Sequence, residues 1–290
     1  MTEQPKFRRL SADDLVPEGS DKYVDVGLVS YLSKVAWGRP IILKGPKGAG
    51  KSLAVKQWAH DVGVPVVEQP CTSYTSIKDL VGACPDVNTP FTLGALTAAI
   101  DIANEDGACV LLLEEINALD PDVQKKLNSL TDFRQSVSVP RLAHNFRVDA
   151  GKKVWVIGTM NPNYAGTYGL NEDLLSRVWP VLVNYMPPEL EKKVMLDELG
   201  RAPTKEEVGL VTRLRTFADE TRGDNELYAL STRDLVGFID FYKKLGLDLA
   251  LKQIEGKYDD TEQVQDIRAR IMTSFSVNLE KVRLYSAPSS

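Results

Sequence analysis

The chain has 290 residues, 43% of them apolar, enough to bury a sizeable core without disulfides or structural metal. Its formal charge of −5 and pI near 5.3 argue against a protein that coats nucleic acid by bulk charge, although a local basic loop stays open to a phosphate chain. Cys71, Cys84 and Cys109 lack CxxC spacing and read as free thiols, and with only His60 and His144 a histidine-based metal cluster or nucleophile triad has little support.

The amino end, "MTEQPKFRRLSADD", lacks the apolar core of a signal peptide, and no stretch approaches about 18 uninterrupted apolar residues. The expectation is a soluble, cytoplasmic protein without membrane association. Residues 1–20 read as a loose lead. A helix is predicted from Asp21 to about Trp37, with Val24, Leu28, Leu32 and Val35 at helical spacing. "RPIILKG" reads as a first short strand, followed by a helix from Lys51 and the strand "VPVVEQP". Next come a polar connection, the helix "TLGALTAAIDIANED" and the apolar strand in "CVLLLEEIN", residues 109–117. Strands alternating with helices predict an α/β fold, a parallel sheet covered by helices on both faces.

"LDPDVQKKLNSLTDF" predicts a helix with Asp120 as N-cap and Pro121 at its first position. "SVSVP" and "HNFRVDA" alternate like a small hairpin, and "KKVWVIGTMNP" and "WPVLVNYM" read as further strands. From Pro187 every segment has helical periodicity: "PPELEKKVMLDEL", "TKEEVGLVTRLRTFADE", "STRDLVGFIDFYKKL", "LDLALKQIEG" and "TEQVQDIRARIMTSF". A domain boundary is placed near 185, so that residues 21–185 form the α/β domain and 186–290 a smaller all-helical domain ending in a frayed "SAPSS". Trp58, Trp155, Phe238 and Phe241 are assigned to the core.

The chemistry concentrates in "GPKGAGKS", residues 45–52, which satisfies G-x-x-x-x-G-K-S between a predicted strand and a predicted helix. Gly45, Gly48 and Gly50 permit the tight path that lets successive main-chain N–H groups surround phosphate oxygens, with Pro46, Lys47 and Ala49 completing the loop. Lys51 reaches the terminal phosphates and Ser52 offers a hydroxyl to Mg²⁺. A cation in the first helical turn opposes the helix dipole, a conflict that a bound anion resolves. Glu114 and Glu115 emerge together from a buried strand at the edge where open α/β sheets bind ligands. Beside a phosphate loop, Glu114 assists the metal directly or through its water, and Glu115 polarises the water that attacks the γ-phosphate.

Across about residues 20–245 the sequence resembles the AAA+ superfamily of P-loop NTPases, and within it the MoxR, CobS and dynein-related branch. That branch often has Asp where this chain has Glu114. "SIKDLVGACPDVNTPFTLGALTAAI" is similar to the stretch where the branch inserts a hairpin into its second helix, and "SVSVPRLAHNFRVDA" to the hairpin before the next sensor strand. "GTMNP" resembles sensor 1, which implies that the Asn161 amide orients the attacking water. "LNEDLLSRVWP" resembles the segment carrying an arginine finger, implying that Arg177 serves the γ-phosphate of a neighbouring copy. "LSTRDL" resembles sensor 2 of the helical lid, implying a phosphate-sensing Arg233 in a first turn capped by Ser231 and Asp234.

The resemblance implies an ATPase using ATP and Mg²⁺, assembled as a homo-oligomeric and hexameric ring. It implies a chaperone-like motor, often paired with a von Willebrand A type protein. A nucleic-acid translocase or restriction-type motor is the alternative, with Arg141, His144, Phe146 and Arg147 as a basic, aromatic hairpin. A small-molecule phosphotransferase and an ATP-binding scaffold with little turnover are the other readings.

Overall fold

The computed structural model describes residues 7–8, 12–35, 39–84, 89–132, 134–162, 167–224, 227–258, 264, 268–269 and 271. Most of the helix expected over 261–275, the tail "SAPSS" and Trp37 lie outside them. The chain divides into two compact units, Met1–Asn184 and Tyr185–Ser290.

The first unit is built on five strands: β1 (Ile41–Lys44), β2 (Val66–Pro70), β3 (Ala108–Glu114), β4 (Lys153–Met160) and β5 (Trp179–Leu182). They form a parallel sheet in the order β5-β1-β4-β3-β2. The central strands are continuous apolar runs because both faces are covered, as the buried Val110 to Leu113 and Val154 to Ile157 show. Between the strands run α2 (Lys51–Val62) and α3 (Ala95–Asp106), after α1 (Leu28–Val35). Parallel register sends the ends of β1, β3 and β4 to one edge. Lys44 pairs with Met160 and Leu113 with Gly158, so the segments that follow these strands meet there.

Three sequence expectations need correction. The first helix starts at Leu28, not Asp21: the Asp25 carboxylate accepts the N–H groups of Gly27 (2.9 Å), Val29 (3.0 Å) and Ser30 (3.3 Å), and Gly27 has a φ of 93°. A side chain that satisfies the orphan donors of a first turn defines where the helix begins, whatever the upstream periodicity. Within the stretch read as a loose lead, Phe7–Arg8 pairs in parallel with Phe91–Thr92. There too, the Ser20 N–H donates to Gln57 on α2 (2.9 Å) and the Pro17 carbonyl lies 3.0 Å from the His60 ring. Finally, Trp58, Trp155 and Phe238 are buried as expected, but Phe241 is 40% exposed.

The insertion before α3 takes the expected form: a short helix, Ile77–Val81, then Gly82–Ala83 antiparallel to Phe91–Leu93. The hairpin Ser136–Val139 with His144–Arg147 also forms. Its Phe146, however, is buried and stacks 6.4 Å from Phe91, so this aromatic packs the core instead of facing a ligand.

In the second unit, α4 (Pro188–Asp197), α5 (Lys205–Gly223), α6 (Thr232–Leu245) and α7 (Leu247–Glu255) enclose a core that includes Met195, Leu214, Phe238 and Ile254. At its centre Glu191 is 0% exposed. The carboxylate accepts from Arg222 at 2.9 and 3.0 Å, pairs with Arg215, and accepts from the Thr232 hydroxyl at the start of α6. A buried carboxylate is tolerated when cations and a hydroxyl occupy its lone pairs, and removing it strands the cations. Glu191→Ala is therefore expected to lower the unfolding free energy of the second unit by about 3–5 kcal/mol. Breaking the exposed Lys244–Asp240 pair is expected to change it by less than about 1 kcal/mol. Urea titration followed by circular dichroism checks both.

Candidate nucleotide site

The glycine loop leaves β1 and turns into α2 with Gly48 at φ 73° and Gly50 at φ 82°, left-handed values that side chains rarely adopt. Gly45 is required for another reason: a Cβ there would stand 1.9 Å from the Val183 carbonyl oxygen. The Gly45 N–H donates to the Met160 carbonyl at 3.1 Å and so ties the loop to the end of β4. Gly50 caps α2 with no side-chain hydrogen bond to its first turn, leaving main-chain donors directed at the loop. Lys47 is exposed, Ala49 is buried, and Pro46 and Ser52 are half-buried.

Lys51 is only 6% exposed and folds back beneath the loop. Its ammonium donates to the Gly45 carbonyl (2.8 Å), the Pro46 carbonyl (2.7 Å) and Asn161 Oδ1 (2.7 Å). The same Asn161 side chain donates through Nδ2 to Glu115 Oε1 at 3.0 Å. An ammonium only donates and a carboxylate only accepts, so this amide orientation is the one that satisfies both neighbours. The structure thus joins Lys51, Asn161 and Glu115 into one chain of hydrogen bonds, with the loop glycines above it.

Glu115 has φ 52° and ψ 47°, a left-handed backbone that costs a non-glycine residue about 1–2 kcal/mol. From this kinked backbone its carboxylate reaches the Asn161 amide. Glu114, the last residue of β3, is half-buried, and its carbonyl accepts the Cys71 N–H at 2.8 Å. Burial, then the charges of Glu114 and Glu115, push the Cys71 thiol up to about 12. Ser52 and Glu114 offer a hydroxyl and a carboxylate, an oxygen-only pair suited to a hard cation such as Mg²⁺. Among the described residues no group of three or more His, Cys, Asp and Glu side chains gathers as a metal site.

Arg177 stands outside this chain of bonds. It follows the short helix Glu172–Leu175, and its guanidinium donates to the Asp173 carbonyl. Nearby, the Asp132 carboxyl is held below its ordinary range by its hydrogen bond from Arg134 and, more weakly, by the charge of Arg177. Arg233 lies in the second unit, exposed in the first turn of α6, where Ser231 and Asp234 form the expected capping box. Asp234 accepts the Ser231 N–H at 2.9 Å and pairs with Lys257 at 2.8 Å, so Arg233 is left outside the cap.

Sequence reasoning passed over two residues of the site. Asn117 is 1% exposed and donates to the Asn161 carbonyl at 3.0 Å, and the Glu115 N–H donates to the Thr159 hydroxyl at 3.1 Å. Asn117 follows the paired acids within "EEIN" and Thr159 lies within "GTMNP", but neither carries a signal apart from its neighbours.

A glycine loop at the carboxyl edge of a five-stranded parallel sheet, with its lysine lodged beside an asparagine and a glutamate from the next strands, defines a P-loop nucleotide-binding fold. Residues 40–178 match the AAA domain of the dynein-related subfamily. It is 26% identical over 256 residues to the uncharacterized protein YojN of Bacillus subtilis strain 168, covering 86% of this chain and 82% of the relative. An uncharacterized protein of Staphylococcus aureus strain USA300 is 24% identical over 246 residues, covering 81% of this chain and 90% of its own length. Among the described residues no helix is long and apolar enough to cross a membrane.

The thiols give a test of the packing beside the paired acids. Cys71 and Cys109 are buried, each thiol pushed up to about 12, whereas Cys84 is exposed. A raised thiol stays protonated, and therefore unreactive, until pH approaches that value. Iodoacetamide at pH 8 is expected to label Cys84 alone in the folded chain and all three after unfolding, read by mass spectrometry. Labelling of folded Cys71 would contradict the packing.

Proposed function

We propose that the chain hydrolyses ATP with Mg²⁺ as a ring-forming ATPase of the MoxR and CobS type, and uses the cycle to remodel a partner protein. The observation that carries the reading is the chain from Lys51 through Asn161 to Glu115 beneath the glycine loop. Main-chain N–H groups of residues 45–52 and the start of α2 cradle the phosphates, where the dipole of α2 favours negative charge. Lys51 exchanges neutral carbonyl oxygens for anionic phosphate oxygens, which are stronger acceptors. Asn161, released from Lys51, turns its amide toward the water and γ-phosphate. Glu115, loosened in turn, accepts a proton from that water as it attacks. Ser52, and Glu114 directly or through water, would hold Mg²⁺, which would supply positive charge to the phosphates.

The reading extends to a hexamer in which Arg177 of one copy meets the γ-phosphate held by the next, and to a lid in which Arg233 senses phosphate. Support for Arg233 is its exposure in a first turn, where a cation is disfavoured unless an anion is near. A von Willebrand A type protein is the partner class the family resemblance suggests. The nucleic-acid motor is the weaker reading: the hairpin's Phe146 is buried and unable to stack on a base, and the formal charge is −5.

Glu115→Gln is expected to bind ATP as the unaltered chain does and to lose about 10²–10⁴-fold in turnover, measured by phosphate release and calorimetry. Loss of binding together with turnover would oppose the assignment. For Arg177, the expected result is that Arg177→Ala and Lys51→Ala are each inactive alone but regain part of the turnover when mixed, because one copy supplies the guanidinium and another the loop. No recovery would place Arg177 outside the neighbour's site. Hydrolysis stimulated by DNA and steeply weakened by salt would transfer the function to the nucleic-acid motor.

A further inference from the structure

We infer that Thr159 is a positioning residue that aims the Glu115 carboxylate through its backbone, an inference that rests on the reading of Glu115 as the group that activates water. The hydrogen-bonded ladder between β3 and β4 ends at the pair Leu113 and Gly158. Past it, Glu115 turns left-handed at φ 52°, so its N–H leaves the sheet inside a region where unpaired donors are penalised. The acceptor it meets is the Thr159 hydroxyl at 3.1 Å, on a residue only 3% exposed. A side chain of β4 thus takes over where main-chain pairing stops.

Three grips hold Glu115. Thr159 takes its N–H, the Ala118 N–H donates to its carbonyl at 2.7 Å, and Asn161 donates to its carboxylate at 3.0 Å. The third must be given up when the carboxylate turns to water, and the second lies within the turn itself. Among the described residues Thr159 alone links the Glu115 backbone to another strand, so it keeps the turn in place while the side chain moves. Asn117 braces the far side by donating to the Asn161 carbonyl at 3.0 Å. Threonine suits the role because its branched Cβ restricts χ1 in a strand while its oxygen accepts. Valine keeps the shape and loses the acceptor.

The test compares Thr159→Val, Thr159→Ser and Glu115→Gln with Thr159→Val in full-length protein. Thr159→Val is expected to lower kcat about 10²-fold, the order of loss for an ångström-scale misplacement, while ATP affinity by calorimetry is unchanged. Thr159→Ser is expected to restore most of kcat, and Thr159→Val is expected to cost nothing further once Glu115 is Gln. Without nucleotide, hydrogen exchange of a peptide spanning residues 113–118 is expected to quicken in Thr159→Val and not in Thr159→Ser. Unchanged kcat, a loss that serine leaves unrepaired, or equal loss in the Glu115→Gln background overturns the inference. Should Thr159→Val not fold, Thr159→Ala enters the same comparison. Turnover left unchanged by Glu115→Gln with Thr159 intact would instead defeat the reading of Glu115 as the group that activates water, and the exchange measurement would still decide whether Thr159 holds the turn.

Discussion

A single primary amide, that of Asn161, stands between a buried cation and a carboxylate, and the arrangement around the nucleotide loop depends on it. Its oxygen accepts from Lys51 and its nitrogen donates to Glu115, each at 3.0 Å or less. A direct ion pair would lock these two groups by Coulomb attraction in a low-dielectric site. The dipolar bridge keeps them in register while leaving each available to a stronger partner. Its position follows from strand order: β4 lies between β1, which leads into the glycine loop, and β3, which ends in the paired acids. Moving the strand register by one residue would turn Asn161 to the opposite face and leave Lys51 and Glu115 unconnected.

The second unit treats buried charge differently. Glu191 is surrounded by Arg215, Arg222 and Thr232, all contributed by its own helices, and Arg222 also lies 3.7 Å from the Tyr185 ring centroid. The contacts of that cluster among the described residues are all made within the second unit, which suits it to holding the helices together. It fixes where α6 begins, one residue before the exposed Arg233. In the proposed reading, charge in the first unit is arranged for replacement by ligand, whereas charge in the second is arranged for rigidity.

Where the sequence reading departed from the structure, local pattern was competing with a contact made elsewhere. Helical spacing from Val24 to Val35 predicted one long helix, but the Asp25 carboxylate gathers the first-turn donors and starts it at Leu28. Phe146 sits among basic residues in the chain, which reads as an ordinary solvated hairpin or, as the alternative, a ligand-facing one, yet pairing with Val137 places it on the inner face against Phe91. Phe241 has the spacing of a core residue of α6, and among the described residues no neighbouring helix covers it fully.

The chain's own residues determined the strand–loop–helix motif, the alternation that makes a parallel sheet, the paired acids ending an apolar run and the candidate roles of Lys51 and Glu115, while the role of Asn161 came from the resemblance of "GTMNP" to sensor 1. Those features are legible because they are local: glycines where the backbone must turn tightly, apolar runs where both faces are buried, and Ser231 and Asp234 where a helix must be capped. Only the tertiary structure decided that one amide connects lysine to glutamate, that Glu115 adopts a left-handed turn, and that Thr159 and Asn117 hold it. Those contacts join residues 44 or more positions apart. They exist because three strands end on one edge of the sheet, a relation that no window of neighbouring residues contains.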